Sequence, residues 1–315
     1  DAAEEMFLKT STAEAPWTLV EAENKYFMRI KVFETLIHAM ESALEQHKHK
    51  NAFKPVMGDP VDLKKYRTVL MNSRSFLSKY NKHIDIERDD YDKRLHKLQK
   101  EVRELHHQMY MDRIGACLVF QGWDAAGKGG AIRRLLAPLD PRGFEVVTIG
   151  APTKIELAHH YLWRFWTRLP KAGHLTIFDR SWYGRVLVER IEGFCSRDEW
   201  QRAYQEINEF EQMITNFGMV IVKYWLHIDK DEQLRRFQSR EETPHKQWKI
   251  TDEDWRNREK WEHYELAVAD MIQKTSTSHA PWTVVEGNNK HHARLKVIQT
   301  FVDAIKNAVE DTRPR

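Results

Sequence analysis

Between residues 113 and 309 the apolar positions come in short solid runs separated by longer amphipathic stretches. "ACLVFQG", "FEVVTIG", "HLTIFDR", "MVIVKYWLHI" and "APWTVVEG" read as strands, the first of them solidly apolar and so buried on both faces. "AIRRLLAPL", "KIELAHHYLWRFWTRL" and "WQRAYQEINEFEQMITNF" read as the helices between them. Strand–helix alternation predicts an α/β fold: a parallel sheet with helices on both faces, three layers in all. Ligands of such a sheet bind at the carboxyl ends of its strands. Upstream, Tyr91, Leu95, Leu98, Val102, Leu105 and Met109 recur at helical steps, one face of a long helix. Packing on the following domain is expected of that face; a coiled coil with a partner is the alternative.

The pattern also repeats. Residues 10–44 align without gaps on residues 275–309, and seventeen of the 35 positions are identical. Each copy reads as a short strand ("APWTLVEA", "APWTVVEG"), a cap at Asn24 or Asn289, and an amphipathic helix. Val32, Leu36, Ile37 and Met40 in the first helix match Val297, Phe301, Val302 and Ile305 in the second. The second copy closes the α/β unit. The first is expected to be the strand–helix tail of an upstream homologous domain; a short duplication packed as an arm is the alternative. Residues 45–84 read as a linker and 85–315 as the main domain.

One loop carries the chemistry. "QGWDAAGKGGAIRR" places Gly122, Gly127 and Lys128 at Walker A spacing, after a strand and before a helix. Backbone N–H groups of Gly122, Ala126, Gly127 and Gly129, the helix dipole and the Lys128 ammonium would cradle a phosphate. Position 129 is Gly, where Ser or Thr would hold magnesium, and Asp124 sits inside the loop instead. A carboxylate among phosphates is repulsive unless it binds a cation or accepts a proton; capping the turn is the alternative. Asp179 ends the strand "LTIFD", next to Arg180, where an acid ordinarily partners a P-loop in holding magnesium. Residues 234–261 hold Arg235, Arg236, Arg240, Lys246, Lys249 and Arg256, interrupted by Pro244. They read as a cationic lid, with a solvated helix face as the alternative.

Composition narrows the partners. A net charge of +3, with 31% charged residues, excludes a polycation that binds nucleic acid through bulk charge. Two cysteines exclude a disulfide framework, and Cys117 reads as core. No apolar run approaches the ~20 residues of a membrane span, and residues 1–12 lack the basic and apolar parts of a signal peptide. No nucleic acid and no membrane are expected as partners, and a reducing cytoplasm is the expected location.

"GWDAAGKGG", "FDRSWYGR" and "HKQWKIT" together resemble the type-2 polyphosphate kinases, over about residues 85–309. The resemblance implies a P-loop kinase-like fold, inorganic polyphosphate and a nucleotide as substrates, Mg2+ as cofactor, and a homo-oligomer. It implies that Asp124 and Asp179 hold the metal, that Lys128, Arg180 and Arg240 bind phosphates, and that Arg133 touches the polyphosphate chain. The repeat resembles the two-copy branch, which transfers a phosphoryl group from polyphosphate to AMP, giving ADP; "YGRVLVERIEGF", with Gly184, is similar to that branch. Alternatives are a polyphosphate-dependent ADP kinase, an ATP-dependent nucleotide kinase on the same scaffold, and an idle polyanion-binding protein. In-line transfer needs no covalent intermediate, so His106, His107, His159 and His160 read as surface or packing residues.

Overall fold

The computed structural model describes residues 2–52, 76–80 and 84–312. The chain divides into two compact units, Asp1–Val56 and Met57–Arg315. In the first, α1 (Ala2–Thr10) is followed by α2 (Lys25–Ala52). Asn24 caps α2 as expected, its Oδ1 accepting from the N–H groups of Tyr26 and Phe27 at 2.9 and 3.3 Å. Two expectations fail in this unit. "APWTLVEA" forms no strand, and α2 runs on to Ala52, through the first residues assigned to the linker. A strand exists by pairing, and no neighbouring strand is found among the described residues of this unit. Residues 53–75 and 81–83 of the expected linker lie outside the described residues, while Leu77 is buried in the core of the second unit.

In the second unit, after the helical turn at residues 76–78, comes α3 (Arg88–Met111). Then come β1 (Ala116–Gly122), α4 (Lys128–Leu136), β2 (Phe144–Thr148), α5 (Lys154–Leu157), α6 (Trp163–Trp166) and β3 (Leu175–Asp179). The chain continues through α7 (Val188–Glu192), α8 (Arg197–Asn216), β4 (Val220–His227), α9 (Lys230–Glu241), α10 (Asp252–Glu259) and α11 (Trp261–Thr275). It closes with β5 (Trp282–Glu286) and α12 (Lys290–Thr312). All five strands are parallel, in the order β2-β3-β1-β4-β5. The connection after β1 therefore runs toward one edge of the sheet and those after its neighbours β3 and β4 toward the other, which opens the crevice at the carboxyl end of β1.

Alternate residues of β4 show the two faces. The Tyr224 hydroxyl donates to the Val297 carbonyl of α12, whereas Lys223 points the other way, to Glu211 on α8 and the Thr275 carbonyl of α11. The predicted stripe of α3 is buried at Tyr91, Leu98, Val102 and Met109 and packs against α12, so the helix belongs to this domain. The long helix expected over "KIELAHHYLWRFWTRL" breaks into α5 and α6. A Thr153–Glu156 capping box starts α5. Three-residue-step bonds from Ala158 to Ile155 and from His159 to Glu156 tighten and end it.

The two copies of the repeat differ sharply in exposure. Phe301, Val302 and Ile305 are fully buried, while their counterparts Leu36, Ile37 and Met40 are 51%, 51% and 58% exposed. The same apolar stripe is the floor of a core in one unit and a bare face in the other.

Candidate active site

β1 delivers the glycine loop to the middle of the sheet. Gly122 has φ +154°, and a Cβ there would stand 2.6 Å from the Leu226 carbonyl oxygen of β4. Only a residue without a side chain lets the loop leave the sheet so tightly. Ala125 is left-handed, at φ +62°, without being glycine, a local strain held by its surroundings. Ala126 donates its N–H to the Trp123 carbonyl. It therefore shapes the turn, and the N–H groups left without helical partners are those of the first turn of α4, around Lys128 and Gly129. A Cβ at Gly129 would meet nothing within 4 Å, so no crowding dictates the missing Ser or Thr.

The Lys128 ammonium donates to the carbonyls of Gly122 and Trp123 at 2.8 and 3.2 Å. Burial holds it below its ordinary pKa, against the pull of Asp124 and Asp179. Asp179 ends β3 in register with Phe120 of β1, and the Arg180 N–H donates to the Phe120 carbonyl. Arg180 takes φ +66° there, and its guanidinium lies 3.5 Å from an oxygen of Asp124. Asp124, Lys128, Asp179 and Arg180 thus converge, from two neighbouring strands, on the mouth of one loop.

The segment expected as a lid reaches that mouth. Asn257 of α10 donates to Asp124 Oδ2 at 3.0 Å, and Asp254, one turn earlier, is half-buried. Burial first, and then the charge of Asp124, raises the Asp254 pKa. Lys260 and Arg256 reach Glu192 on α7 at 2.8 and 3.5 Å. Trp261 stacks flat on Trp123 of the loop, with ring centroids 3.8 Å apart. Trp123 in turn donates its indole N–H to His227, whose imidazole burial pushes down to about 4 and keeps neutral.

The lid cations separate by role. Arg240 ends α9, half-buried and close enough to Asp254 to act on its ionisation. Arg236 is not a substrate cation: it is buried, donating to the carbonyls of Ala125, Ala126, Gly287 and Asn288 while paired with Glu232. Arg235 pairs with Glu232 as well. Lys246 and Lys249 have side chains outside the described residues. Arg133 is exposed on α4.

Sequence reasoning missed three groups of residues. Asn257 and Asp254 lay unmarked within a polar stretch. Lys290 and Arg294 on α12 add cations beside α4, and Arg294 comes within 3.8 Å of where a Gly130 Cβ would stand. Lys290 borders a cavity of about 210 Å³, shared with Arg235, Asn288, Asn289 and His291. The third group holds the acidic strand end from behind. Lys223 spends its three N–H donors on Glu211, the Tyr183 hydroxyl and the Thr275 carbonyl, all at 2.7–2.8 Å. Trp182 and Tyr183 donate to the other oxygen of Glu211. Burial pushes the Glu211 pKa up and the Lys223 pKa down, and each charge opposes the shift of the other. The signal was available: a lysine inside "VIVKYWLH" must have a buried anionic partner.

The family model described as polyphosphate kinase 2 matches residues 1–48 and 85–313. The polyphosphate:AMP phosphotransferase of Pseudomonas syringae pv. tomato is 44% identical over 305 residues, 97% of this chain and 60% of that protein. The GDP-polyphosphate phosphotransferase of Pseudomonas aeruginosa is 38% identical over 241 residues, 76% of this chain and 68% of that one. A crystal structure of a candidate polyphosphate kinase 2 from Pseudomonas aeruginosa superposes with a TM-score of 0.85 at 43% identity, covering 99% of this chain and 63% of that one. The chain therefore spans about 60% of the length of the first of these relatives.

Proposed function

The chain belongs to the polyphosphate kinase 2 family, and from that premise we propose that it moves a phosphoryl group from inorganic polyphosphate to AMP, giving ADP. The carrying observation is the convergence of Asp124, Lys128, Asp179 and Arg180 on one glycine loop. The choice of AMP is supported by the name of the relative that aligns with 97% of the chain.

The donor set suits magnesium. It consists of two carboxylates, and magnesium binds through one or two such groups together with substrate phosphates and water. Among the described residues no cluster of three or more His, Cys, Asp or Glu side chains could hold a metal, so further ligands would come from the phosphates. Asp124 and Asp179 would hold the ion, which when bound neutralises charge on the donor and acceptor oxygens.

The first turn of α4 and Lys128 hold the terminal phosphoryl group of the polymer. An oxygen of the AMP phosphate attacks that phosphorus in line, and the bond to the next bridging oxygen breaks, leaving the polymer one unit shorter. Arg180 and Arg240 stabilise the charge spreading over the equatorial oxygens. Arg133, with Lys290 and Arg294, offers cations to the rest of the chain, as a protein does to a nucleic-acid backbone.

Purified protein with AMP and Mg2+ is expected to form ADP with polyphosphate as the only donor, and not with ATP alone. ADP produced from ATP alone would reassign the chain to the ATP-dependent nucleotide kinases. The reading includes a cytoplasmic location, where AMP is available. Among the described residues no helix is long and apolar enough to cross a membrane.

Residues 1–44 are proposed to close a second domain of the same fold. Two observations support this: the family model matches residues 1–48 separately, and the apolar stripe that α12 buries is exposed on α2. In a longer protein carrying such a domain, amide exchange along residues 32–40 should slow toward that of residues 297–305. Equal exchange with and without the added domain would refute it.

A further inference from the structure

Asp124 is held twice by neighbouring residues of the lid helix. Asn257 donates from Nδ2 to Asp124 Oδ2 at 3.0 Å. Arg258 donates to Gln233 Oε1 at 3.2 Å, and Gln233 donates in turn to the Asp124 carbonyl at 3.1 Å. The Asn257 amide is itself oriented: the Tyr264 hydroxyl donates to its Oδ1 at 3.3 Å, which turns the NH2 toward the carboxylate. Arg180 lies against the other carboxylate oxygen, Oδ1, at 3.5 Å. One oxygen is thus occupied by a neutral donor from α10 and the other lies against Arg180.

We propose that Asn257 is the positioning residue for Asp124, so that seating α10 and aiming the Asp124 carboxylate at the reacting phosphates are one event. An amide is the side chain this place needs. Asn has a donor for Oδ2 and adds no charge, while a Lys or Arg would compete with the metal for the carboxylate. An Asp would repel it, and the site already contains Asp254 and Asp179. The Lys260–Glu192 pair at the C-cap of α10, and the stack of Trp261 at the start of α11 on Trp123, fix the junction that follows this helix. Displacing α10 would therefore release Asp124 and uncover the loop together. The assignment rests on the reading of Asp124 given above.

The test uses the full chain with Asn257→Ala, Asp124→Asn, and the exchanged pair Asp124→Asn/Asn257→Asp. Readouts are Mn2+ affinity without nucleotide, amide exchange across residues 252–259, and kcat and KM with polyphosphate. Asn257→Ala should weaken Mn2+ binding and lower kcat by about ten- to a hundredfold, the range of a hydrogen bond to a charged group. The KM for polyphosphate should stay within about threefold, because the phosphate-binding turn is untouched. Exchange across α10 should accelerate. The exchanged pair restores a hydrogen bond of reversed polarity, so slow exchange should return while Mn2+ binding and turnover stay lost. Unchanged Mn2+ affinity and kcat in Asn257→Ala, with only a lower Tm, would reduce Asn257 to a structural residue. An exchanged pair that left α10 unprotected would also overturn the coupling. Wild-type turnover in Asp124→Asn would instead overturn the reading of the site itself.

Discussion

Asp179→Asn should abolish turnover, by about a thousandfold or more, while polyphosphate binding changes only a few-fold. The substitution keeps the size of the side chain at the end of β3 and the backbone bond from the Ile149 N–H to the residue 179 carbonyl. It removes one of the two carboxylates whose charge acts most strongly on Lys128. On the proposed reading, binding of the polymer would depend on the first turn of α4 and on cations, none of which is altered, whereas transfer would need charge neutralised between two phosphates. The measurements are ADP formation from AMP and polyphosphate, polyphosphate titration by calorimetry, and Tm as a control. Turnover within a few-fold of wild type would favour the idle polyanion-binding protein.

Lys223→Met should be the most destabilising of the conservative-volume changes in the core, by about 3–5 kcal/mol, because it strands Glu211 as a buried uncompensated charge. In a domain of this size that lowers Tm by roughly 10 °C. The paired change Lys223→Met/Glu211→Leu should recover much of the loss, since both desolvation penalties vanish together. Thermal unfolding of the two single variants and the double would decide it: a double as unstable as Lys223→Met rules out the stranded charge as the cause. Because Glu211 also accepts from Trp182 and Tyr183, just after Arg180, the single variant should lose activity below its Tm as well.

What could be read from the sequence was local. Glycine spacing, an acid at the end of an apolar run and alternating periodicities are set by neighbours in the chain, so the loop, Asp179 and the order of the elements were all legible. The first-copy strand was misread because "APWTLVEA" shares six of eight letters with "APWTVVEG" but has no strand to pair with among the described residues of its unit, a property of surroundings. The helix over residues 154–169 was misread because its stop is a tightening of backbone bonds and not a proline or glycine. The lid cations looked alike as letters, yet Arg236 is buried against the loop and Arg240 is not. Asn257 was invisible because its partner lies 133 positions away and an amide in a polar stretch carries no mark. The buried Lys223 was the missed clue of the opposite kind, conspicuous in an apolar strand and left without a question.

Arg236 has a consequence for any survey of variants. Its guanidinium is bolted at one side to the carbonyls of Ala125 and Ala126 and at the other to those of Gly287 and Asn288, the corner between β5 and α12. Damage at that corner, at the opposite edge of the sheet from β2, will be felt in the glycine turn. A screen scored by turnover alone will place residues 287 and 288 beside the chemical groups, although neither is proposed to contact a phosphate.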